Sequence, residues 1–248
     1  MCTLIAGLDV LGPGTLVLGA NRDESPGRPS SDPTVLRSDP RVIGGRDLKA
    51  GGTWLATRES RFVTALMNRP RAPDDPRNPS TFRTRGLLCL EAAEREDGTG
   101  ASFLAGALDL VQSHPHGHCT LVGIAVGGEA WAIHVGHRPP VVMALSPGWH
   151  VITHQDLDDP DEPRTRSLME ALRNRTPRNV GAAIELLQSL LHRHGDEMTP
   201  AVCLHRDVFP TVSSSILALG AVGPPLYLHA SGPPCVTPYR DHSALLSP

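Results

Sequence analysis

Short apolar runs separated by turn residues dominate the first third of the chain. Residues 3–8 and 15–20 are apolar runs of strand length, and the Gly-Pro-Gly sequence at 12–14 is a turn signal. This pattern predicts an antiparallel hairpin. Residues 52–57 and 61–67 alternate or run apolar in the same way, and they predict a second pair of strands around a short polar turn.

Helical and strand patterns alternate over the rest of the chain. Apolar residues recur at helical spacing over residues 84–94 and 101–112, on either side of the turn Gly98-Thr99-Gly100. The remaining predicted segments are strands over 119–126, 130–135, 141–145 and 150–153, helices over 164–173 and 180–192, and strands over 201–204, 213–219 and 226–229. Two runs of strands, each followed by paired helices, predict an α+β fold. A four-layer α/β/β/α sandwich of two stacked, mainly antiparallel sheets accommodates these segments best, and another α+β arrangement would meet the same periodicity.

Composition and charge narrow the class of protein. With 248 residues and no low-complexity linker or repeat, the chain is expected to be one domain, residues 1–248. The net charge of −3 argues against a general nucleic-acid binder. We expect no membrane span and no signal peptide, because no apolar stretch is long enough and no basic start precedes the first apolar run. A cytoplasmic protein is therefore expected.

The cysteines indicate a reducing compartment. The chain has 5 of them, an odd number, and none forms a C-x-x-C pair. This disfavours both a disulfide framework and a structural zinc site. The run His114-Pro-His116-Gly-His118-Cys119 is interpreted as a loop that leads into a strand, so no metal site is expected.

Cys2 is the first candidate for chemistry. Removal of Met1, which is usual before a small residue, would leave a thiol and a free α-amino group on one residue. The amine, with a reference pKa of about 8, can take the thiol proton as the sulfur attacks an acyl carbon. The alternative is that Cys2 is a small apolar residue at the start of a buried strand.

Polar and charged residues follow the second predicted strand. Asn21-Arg22-Asp23-Glu24 stands where the hairpin would bring it back beside residue 2. A guanidinium and a carboxylate at that place would set protonation states and orient a substrate. A solvated turn with a surface ion pair is the alternative.

Several motifs then follow in a recognisable order. They are Met-Cys at the start, Asn21-Arg22-Asp23-Glu24, Arg28-Pro29, Gly45-Arg46-Asp47, Gly51-Gly52-Thr53-Trp54-Leu55-Ala56 and Ala65-Leu66-Met67-Asn68-Arg69. In order and spacing the chain resembles the NRDE-motif family, also called the transport and Golgi organisation protein 2 family. The resemblance implies the N-terminal-nucleophile hydrolase-like fold, a four-layer sandwich most similar to the penicillin acylase and choloylglycine hydrolase branch.

The resemblance also implies roles for single residues. Cys2 matches the nucleophile, Asp23 would hold the amine or a water chain in place, and Asn68 would donate to an oxyanion. The remaining candidate substrate-binding residues are Asn21, Arg22, Thr53, Trp54 and His154. Two positions depart from the family pattern, because His154 and Val212 stand where the family usually has asparagine and arginine. Trp54 is alternatively a core residue behind two glycines that permit close backbone approach.

Two functions of different classes follow from the resemblance. The first is a cysteine-dependent amidohydrolase or acyltransferase that acts on a small amide or thioester without a cofactor, a hydrolase of non-peptide C–N bonds. The second is a non-catalytic protein on the same fold that binds or carries haem or acyl-coenzyme A. The partner in both cases is a small molecule, and no nucleic acid is expected. The enzyme is favoured because Cys2, Asp23 and Asn68 are all present at the positions that match the family pattern.

Overall fold

The structure is a computed structural model that describes residues 2–95 and 100–247. The strands within these ranges are β1 (Thr3–Leu8), β2 (Thr15–Asp23), β3 (Thr34–Ser38), β4 (Arg41–Gly44), β5 (Leu55–Arg58), β6 (Phe62–Asn68), β7 (Cys119–Ala125), β8 (Ala130–Val135), β9 (Val141–Ala144), β10 (Gly148–Ile152), β11 (Thr211–Gly220), β12 (Leu226–Ala230) and β13 (Arg240–Asp241). The α-helices are α1 (Arg85–Glu94), α2 (Gly100–Ser113), α3 (Pro163–Leu172) and α4 (Val180–Leu191).

The chain forms two compact units, each with its own antiparallel sheet. The first unit consists of Met1–Gly27 and Ser146–Pro248, and the second is Arg28–Leu145. The first unit contains a six-stranded sheet in the order β10-β1-β2-β11-β12-β13, with α3 and α4. The second contains a seven-stranded sheet in the order β3-β4-β5-β6-β7-β8-β9, with α1 and α2. The prediction of a single domain over residues 1–248 stays a prediction.

In the first unit, one face of the sheet packs against α3 and α4. Ile5 and Val17 from the sheet share a buried core with Leu187 from α4. Gly19 permits this approach, because a Cβ atom there would lie 3.0 Å from Leu191 Cδ1. Since side chains alternate along a strand, Asn21 lies on the same helix-covered face as Gly19.

In the second unit, three aromatic rings meet within a mostly aliphatic core between the sheet and its helices. The Phe103 ring on α2 lies 5.5 Å from that of Phe62 and 5.0 Å from that of Trp131, between ring centroids. The glycine motif at residues 51–52 allows α1 to pack closely against the neighbouring backbone. Gly52 approaches the backbone of Gly86 so closely that a Cβ on Gly52 would lie 2.1 Å from the Gly86 carbonyl carbon. Gly52, two residues before Trp54, therefore allows the first turn of α1 to pack against this backbone.

The hydrophobic pattern predicted most elements correctly. Both hairpins, the four helices, the strands from 119 to 153, and β11 and β12 are confirmed, with small shifts at their ends. The strand predicted from residue 52 begins at Leu55, and β3, β4 and β13 were not predicted. Residues 98 and 99 of the predicted Gly98-Thr99-Gly100 turn lie outside the described residues.

The strand predicted over residues 201–204 is wrong. This segment is a mostly buried loop that forms no continuous pairing with a strand. The amides of Val202 and Cys203 both donate to the carbonyl of Arg193, at 2.9 Å each, and the amide of Leu204 donates to the Thr211 hydroxyl. Its apolar composition reflects burial rather than strand pairing.

Candidate active site

Cys2 lies directly before β1, beside the end of β2. Thr3 pairs with Asn21, so the hairpin brings the Asn-Arg-Asp segment next to Cys2, as the pattern predicts. The amide of Asp23 donates to Cys2 Sγ at 3.4 Å, and the thiol lies 3.7 Å from the Asp23 carbonyl oxygen. The half-buried sulfur is therefore positioned by the main chain of Asp23.

The thiol of Cys2 is protonated near neutral pH. Burial first, and the negative charge of Asp23 second, raise the pKa of Cys2 to about 11. A thiol with this pKa is a poor nucleophile at pH 7 unless a neighbouring base takes its proton.

The carboxylate of Asp23 is buried within a defined network. The Thr211 hydroxyl donates to Asp23 Oδ1 at 2.6 Å, and Arg164 Nη1 lies 4.0 Å from Oδ2. Burial raises the pKa of the Asp23 carboxyl, while the Thr211 hydrogen bond and the charge of Arg164 act in the opposite direction. A carboxylate in this position favours a cationic neighbour.

Arg164 is a site residue that sequence reasoning missed. It is buried in the first turn of α3, whose preceding residue, Glu162, caps the helix by accepting from the Thr165 amide. From there Arg164 Nη1 donates to Thr3 Oγ1 at 3.0 Å. In sequence it looks like a surface charge at a helix start, because its partners are distant along the chain.

Asn21 connects β2 to α4 and the following loop. Its side-chain amide donates to the carbonyl of Leu191 at 2.9 Å and to that of Val202 at 3.1 Å. It thereby satisfies a carbonyl at the end of α4 that has no partner within the helix. The buried guanidinium of Arg22 lies 3.9 Å from Glu24 Oε2. Substrate-binding roles for Asn21 and Arg22 stay predictions.

The two departures from the family pattern lie near the same end of the sheet. Leu4 pairs with Ile152 on β10, and His154 follows Ile152 by two residues just as Cys2 precedes Leu4 by two. This register points His154 toward the end of the sheet that holds Cys2. Val212 lies in a register shift of β11, between Thr211 and the next paired residue.

The remaining predicted site residues belong to the second unit. Asn68 is exposed at the end of β6, opposite Cys119 on β7. The buried hydroxyl of Thr53 is within hydrogen-bonding distance of the carbonyls of Gly45, at 2.7 Å, and Leu55, at 3.0 Å. Trp54 is half-buried against Gly45, where a Cβ would lie 2.5 Å from its ring. The oxyanion role of Asn68 and the binding roles of Thr53 and Trp54 stay predictions.

A family model described as Transport and Golgi organisation 2 matches residues 1–216. The chain belongs to this family. The match includes Cys2, the Asn21–Asp23 segment and Arg164, and it ends within β11. No curated protein sequence matches this family member.

Solved structures share the fold of this Transport and Golgi organisation 2 family member. Penicillin V acylase from Agrobacterium tumefaciens matches with a TM-score of 0.62 at 10% identity, covering 99% of this chain and 88% of that one. A Caenorhabditis elegans ortholog of N-acylethanolamine-hydrolyzing acid amidase matches with a TM-score of 0.58 at 14% identity, covering 88% and 92%. A mutant of conjugated bile acid hydrolase from Clostridium perfringens matches with a TM-score of 0.56 at 12% identity, covering 100% and 94%.

These likenesses confirm the predicted fold. The Transport and Golgi organisation 2 family member has an α+β, N-terminal-nucleophile hydrolase-like fold with two antiparallel sheets and helices. Among the helices that the structure describes, none has the length and apolar character that crossing a membrane requires.

Proposed function

We propose that this protein is a cysteine-dependent N-terminal-nucleophile amidohydrolase or acyltransferase that acts on a small amide or thioester. One observation carries the proposal. The sulfur of Cys2 contacts the main chain of Asp23, whose carboxylate is buried and held by Thr211 beside Arg164. The carboxylate would stabilise the ammonium that forms when the Cys2 amine accepts a proton.

The base is the α-amine of Cys2 itself. Removal of Met1, which lies outside the described residues, would place an amine with a pKa of about 8 next to a thiol with a pKa of about 11. The amine takes the thiol proton as the sulfur bonds to the carbonyl carbon, and a tetrahedral intermediate forms. It then returns that proton to the leaving amine or thiol as the C–N or C–S bond breaks. The acyl group stays on sulfur until water or another acceptor displaces it.

The substrate class rests on the same chemistry. An acyl-enzyme intermediate on sulfur serves both amides and thioesters. The names of the similar structures describe an amidase, an acylase and a hydrolase of conjugated bile acids, which favours an amide of a small molecule. Five free cysteines fit a reducing compartment, and we assign the protein to the cytoplasm as part of this proposal.

Intact mass and covalent labelling test the proposal on one sample. We expect Met1 to be absent and an acyl-type electrophile to label Cys2 at least about tenfold faster than Cys89 or Cys235. The labelling rate should rise with pH around 8, the amine pKa, rather than around 11, the thiol pKa.

Two further chains serve as controls. Cys2→Ala removes the label, and a chain with an additional residue before Cys2 keeps the thiol but acylates its amine, so it should label slowly with a pH midpoint near the thiol value. Equal labelling of the processed and extended chains would show that the amine is not the base. A haem Soret band that depends on Cys2 would instead support a carrier.

A further inference from the structure

Four side chains of the types that bind metal ions lie close together in the first unit. All four are far from Cys2 in the sequence. Three of them, His194, Cys203 and His205, lie in the segment after α4. The fourth, Cys235, lies in the segment after β12. Their ligand atoms all lie within 4.8 Å of one another. We infer that these four residues bind one zinc ion, at a site of two thiolates and two imidazoles.

The distances between donor atoms are close to those around a tetrahedral ion, and the shortest of them would lengthen by a few tenths of an ångström on zinc binding. Cys203 Sγ lies 3.5 Å from Cys235 Sγ, and His205 Nε2 lies 3.1 Å from Cys235 Sγ and 3.8 Å from Cys203 Sγ. Tetrahedral zinc, with Zn–S of about 2.3 Å and Zn–N of about 2.0–2.1 Å, places neighbouring ligand atoms about 3.3–3.8 Å apart. The fourth donor is near, because the His194 and His205 rings are 4.9 Å apart between centroids. The set of two sulfurs and two nitrogens is typical of zinc.

Backbone hydrogen bonds place two of the four ligands, His194 and Cys203, near each other. The carbonyl of Arg193 accepts from the amides of both Val202 and Cys203, which closes a loop that places His194 near Cys203. Within this loop Gly195 has φ +64 and a Cβ there would lie 2.5 Å from the Ala201 nitrogen, so only glycine fits. The loop geometry is therefore fixed by hydrogen bonds and close packing before a metal binds.

A separate turn presents the fourth ligand. Cys235 lies in a turn in which the amides of Val236 and Thr237 donate to the carbonyl of Pro233. Gly232 permits this turn, because a Cβ on it would lie 2.4 Å from Thr237 Oγ1. The zinc ion would join this turn to the loop after α4.

A second cluster of potential metal ligands is less suited to a metal ion, because its carboxylate already has partners. Asp75, His118 and His137 also lie within 4.8 Å of one another in the second unit. Arg77 donates two side-chain hydrogen bonds to the Asp75 carboxylate, at 3.0 Å and 2.9 Å, and His118 Nε2 lies 2.9 Å from the same carboxylate. These partners already compensate the charge of Asp75, so a cation would have to displace an arginine.

The zinc ion would act structurally, next to the active-site network. Four protein ligands leave no open position for substrate or water, which is typical of structural sites. The loop that it holds accepts a hydrogen bond from Asn21 through Val202, and the Leu204 amide donates to Thr211, which itself donates to Asp23. Zinc binding would thus stabilise the backbone that fixes the Asp23 carboxylate.

Metal content of the full chain, purified under reducing conditions, tests the inference. We expect about one zinc ion per chain, and a cobalt-substituted protein with the charge-transfer absorption of thiolate ligands. His205→Ala and Cys235→Ser should each weaken zinc binding by about 100-fold or more, because each removes a direct ligand. A chelator should lower the Tm of the unmodified chain by about 5 °C.

The controls separate loss of zinc from loss of fold. His114→Ala changes an exposed histidine in the other unit and should leave zinc content and Tm unchanged. His205 is exposed, so its variant should keep the circular dichroism of the parent. Folded protein without zinc, unresponsive to added zinc, would overturn the inference. A Cys203–Cys235 disulfide in the reduced preparation, detected by intact mass, would overturn it as well.

Discussion

At the scale of single residues, the site is organised around a buried carboxylate. Asp23 receives a hydrogen bond from Thr211 and lies near Arg164, and its own amide donates to the Cys2 sulfur. An acidic side chain buried in this way is costly unless its hydrogen bonds are complete. The stability of the unit, and under the proposed mechanism the reactivity of Cys2, therefore depend on the same few contacts.

Thr211→Val tests this dependence. Valine has nearly the same shape but lacks the hydroxyl, so the Asp23 carboxylate loses a donor and the Leu204 amide loses an acceptor. We expect the free energy of unfolding in urea to fall by about 2–4 kcal/mol and labelling of Cys2 to slow. Thr211→Ser keeps both hydrogen bonds and should stay within about 1 kcal/mol of the parent. Equal losses in the two variants would contradict the role of the hydroxyl.

Sequence reasoning found the residues whose signals are local. Cys2 and Asp23 stand in short motifs at the two ends of one hairpin, so strand pairing alone predicts that they meet. Thr211 and Arg164 were missed, because they reach Asp23 and Thr3 from 188 and 161 residues away in the chain. A threonine at a strand start and an arginine at a helix start carry no sign of such partners.

At the scale of elements, a loop that follows a strand supplies the partner of a buried histidine, His150 on β10. The loop after β10 supplies Asp158, which accepts from His150 Nδ1 and from the Val151 amide, at 2.7 Å each. His150 Nε2 lies 2.7 Å from the Ser146 carbonyl. Burial lowers the pKa of His150, but the hydrogen bonds and the charge of Asp158 outweigh it, so the pKa is raised. Both ring nitrogens face acceptors, which favours the imidazolium.

The His150–Asp158 pair makes stability dependent on pH. Because the folded pKa of His150 is raised, the pair contributes fully below the unfolded value of about 6.5, and this contribution is lost as the pH rises through the folded pKa. Asp158→Asn should lower the free energy of unfolding by about 1 kcal/mol at about pH 5.5 and by less at about pH 8.5. Urea unfolding at both values measures this.

Asparagine suits the positive φ of 53 at position 158, so the backbone should be retained in this variant. Asp161→Asn, at an exposed position in the same loop, is the matched control and should show no pH-dependent difference. A decrease in the free energy of unfolding of Asp158→Asn that is larger at high pH than at low pH would contradict a raised pKa of His150 as the cause.

Elements also show where hydrophobic patterns mislead. Residues 201–204 are apolar and mostly buried, yet they form no continuous pairing with a strand: only Leu204 bonds to one, at Thr211, the first residue of β11. In contrast, β3 has partly exposed positions and a register shift, so it lacks the clean alternation that would predict a strand. In both cases, whether a segment is buried does not tell whether it pairs with a strand.

At the scale of the whole molecule, the last part of the chain completes a sheet that starts at residue 3. The family match ends at residue 216, within β11, but β12 pairs with β11 along Ser214–Ala218. Beyond β12, the Tyr239 hydroxyl lies 2.7 Å from Ser214 Oγ, and the Ser214 hydroxyl lies 3.2 Å from the Ala20 carbonyl on β2. The segment after residue 216 is thus bonded to the hairpin that carries Cys2.

Tyr239→Phe tests whether this segment unfolds together with the hairpin. Loss of one partly buried hydrogen bond should lower the free energy of unfolding by about 1 kcal/mol. Amide exchange should then accelerate in β1 and β2 as well as in β12, since all belong to one sheet. Faster exchange confined to residues after 226 would show that the segment opens alone. Phe209→Ala, at a half-exposed ring in the same unit, is the control.

The position of Cys2, one residue before the first strand pair, has a practical consequence for recombinant work. A purification tag fused ahead of this residue would leave its nitrogen in an amide bond, and under the proposed mechanism, in which that amine is the base, such a preparation would lack activity. A tag at the carboxyl end, or one whose protease leaves cysteine first, keeps the nitrogen available.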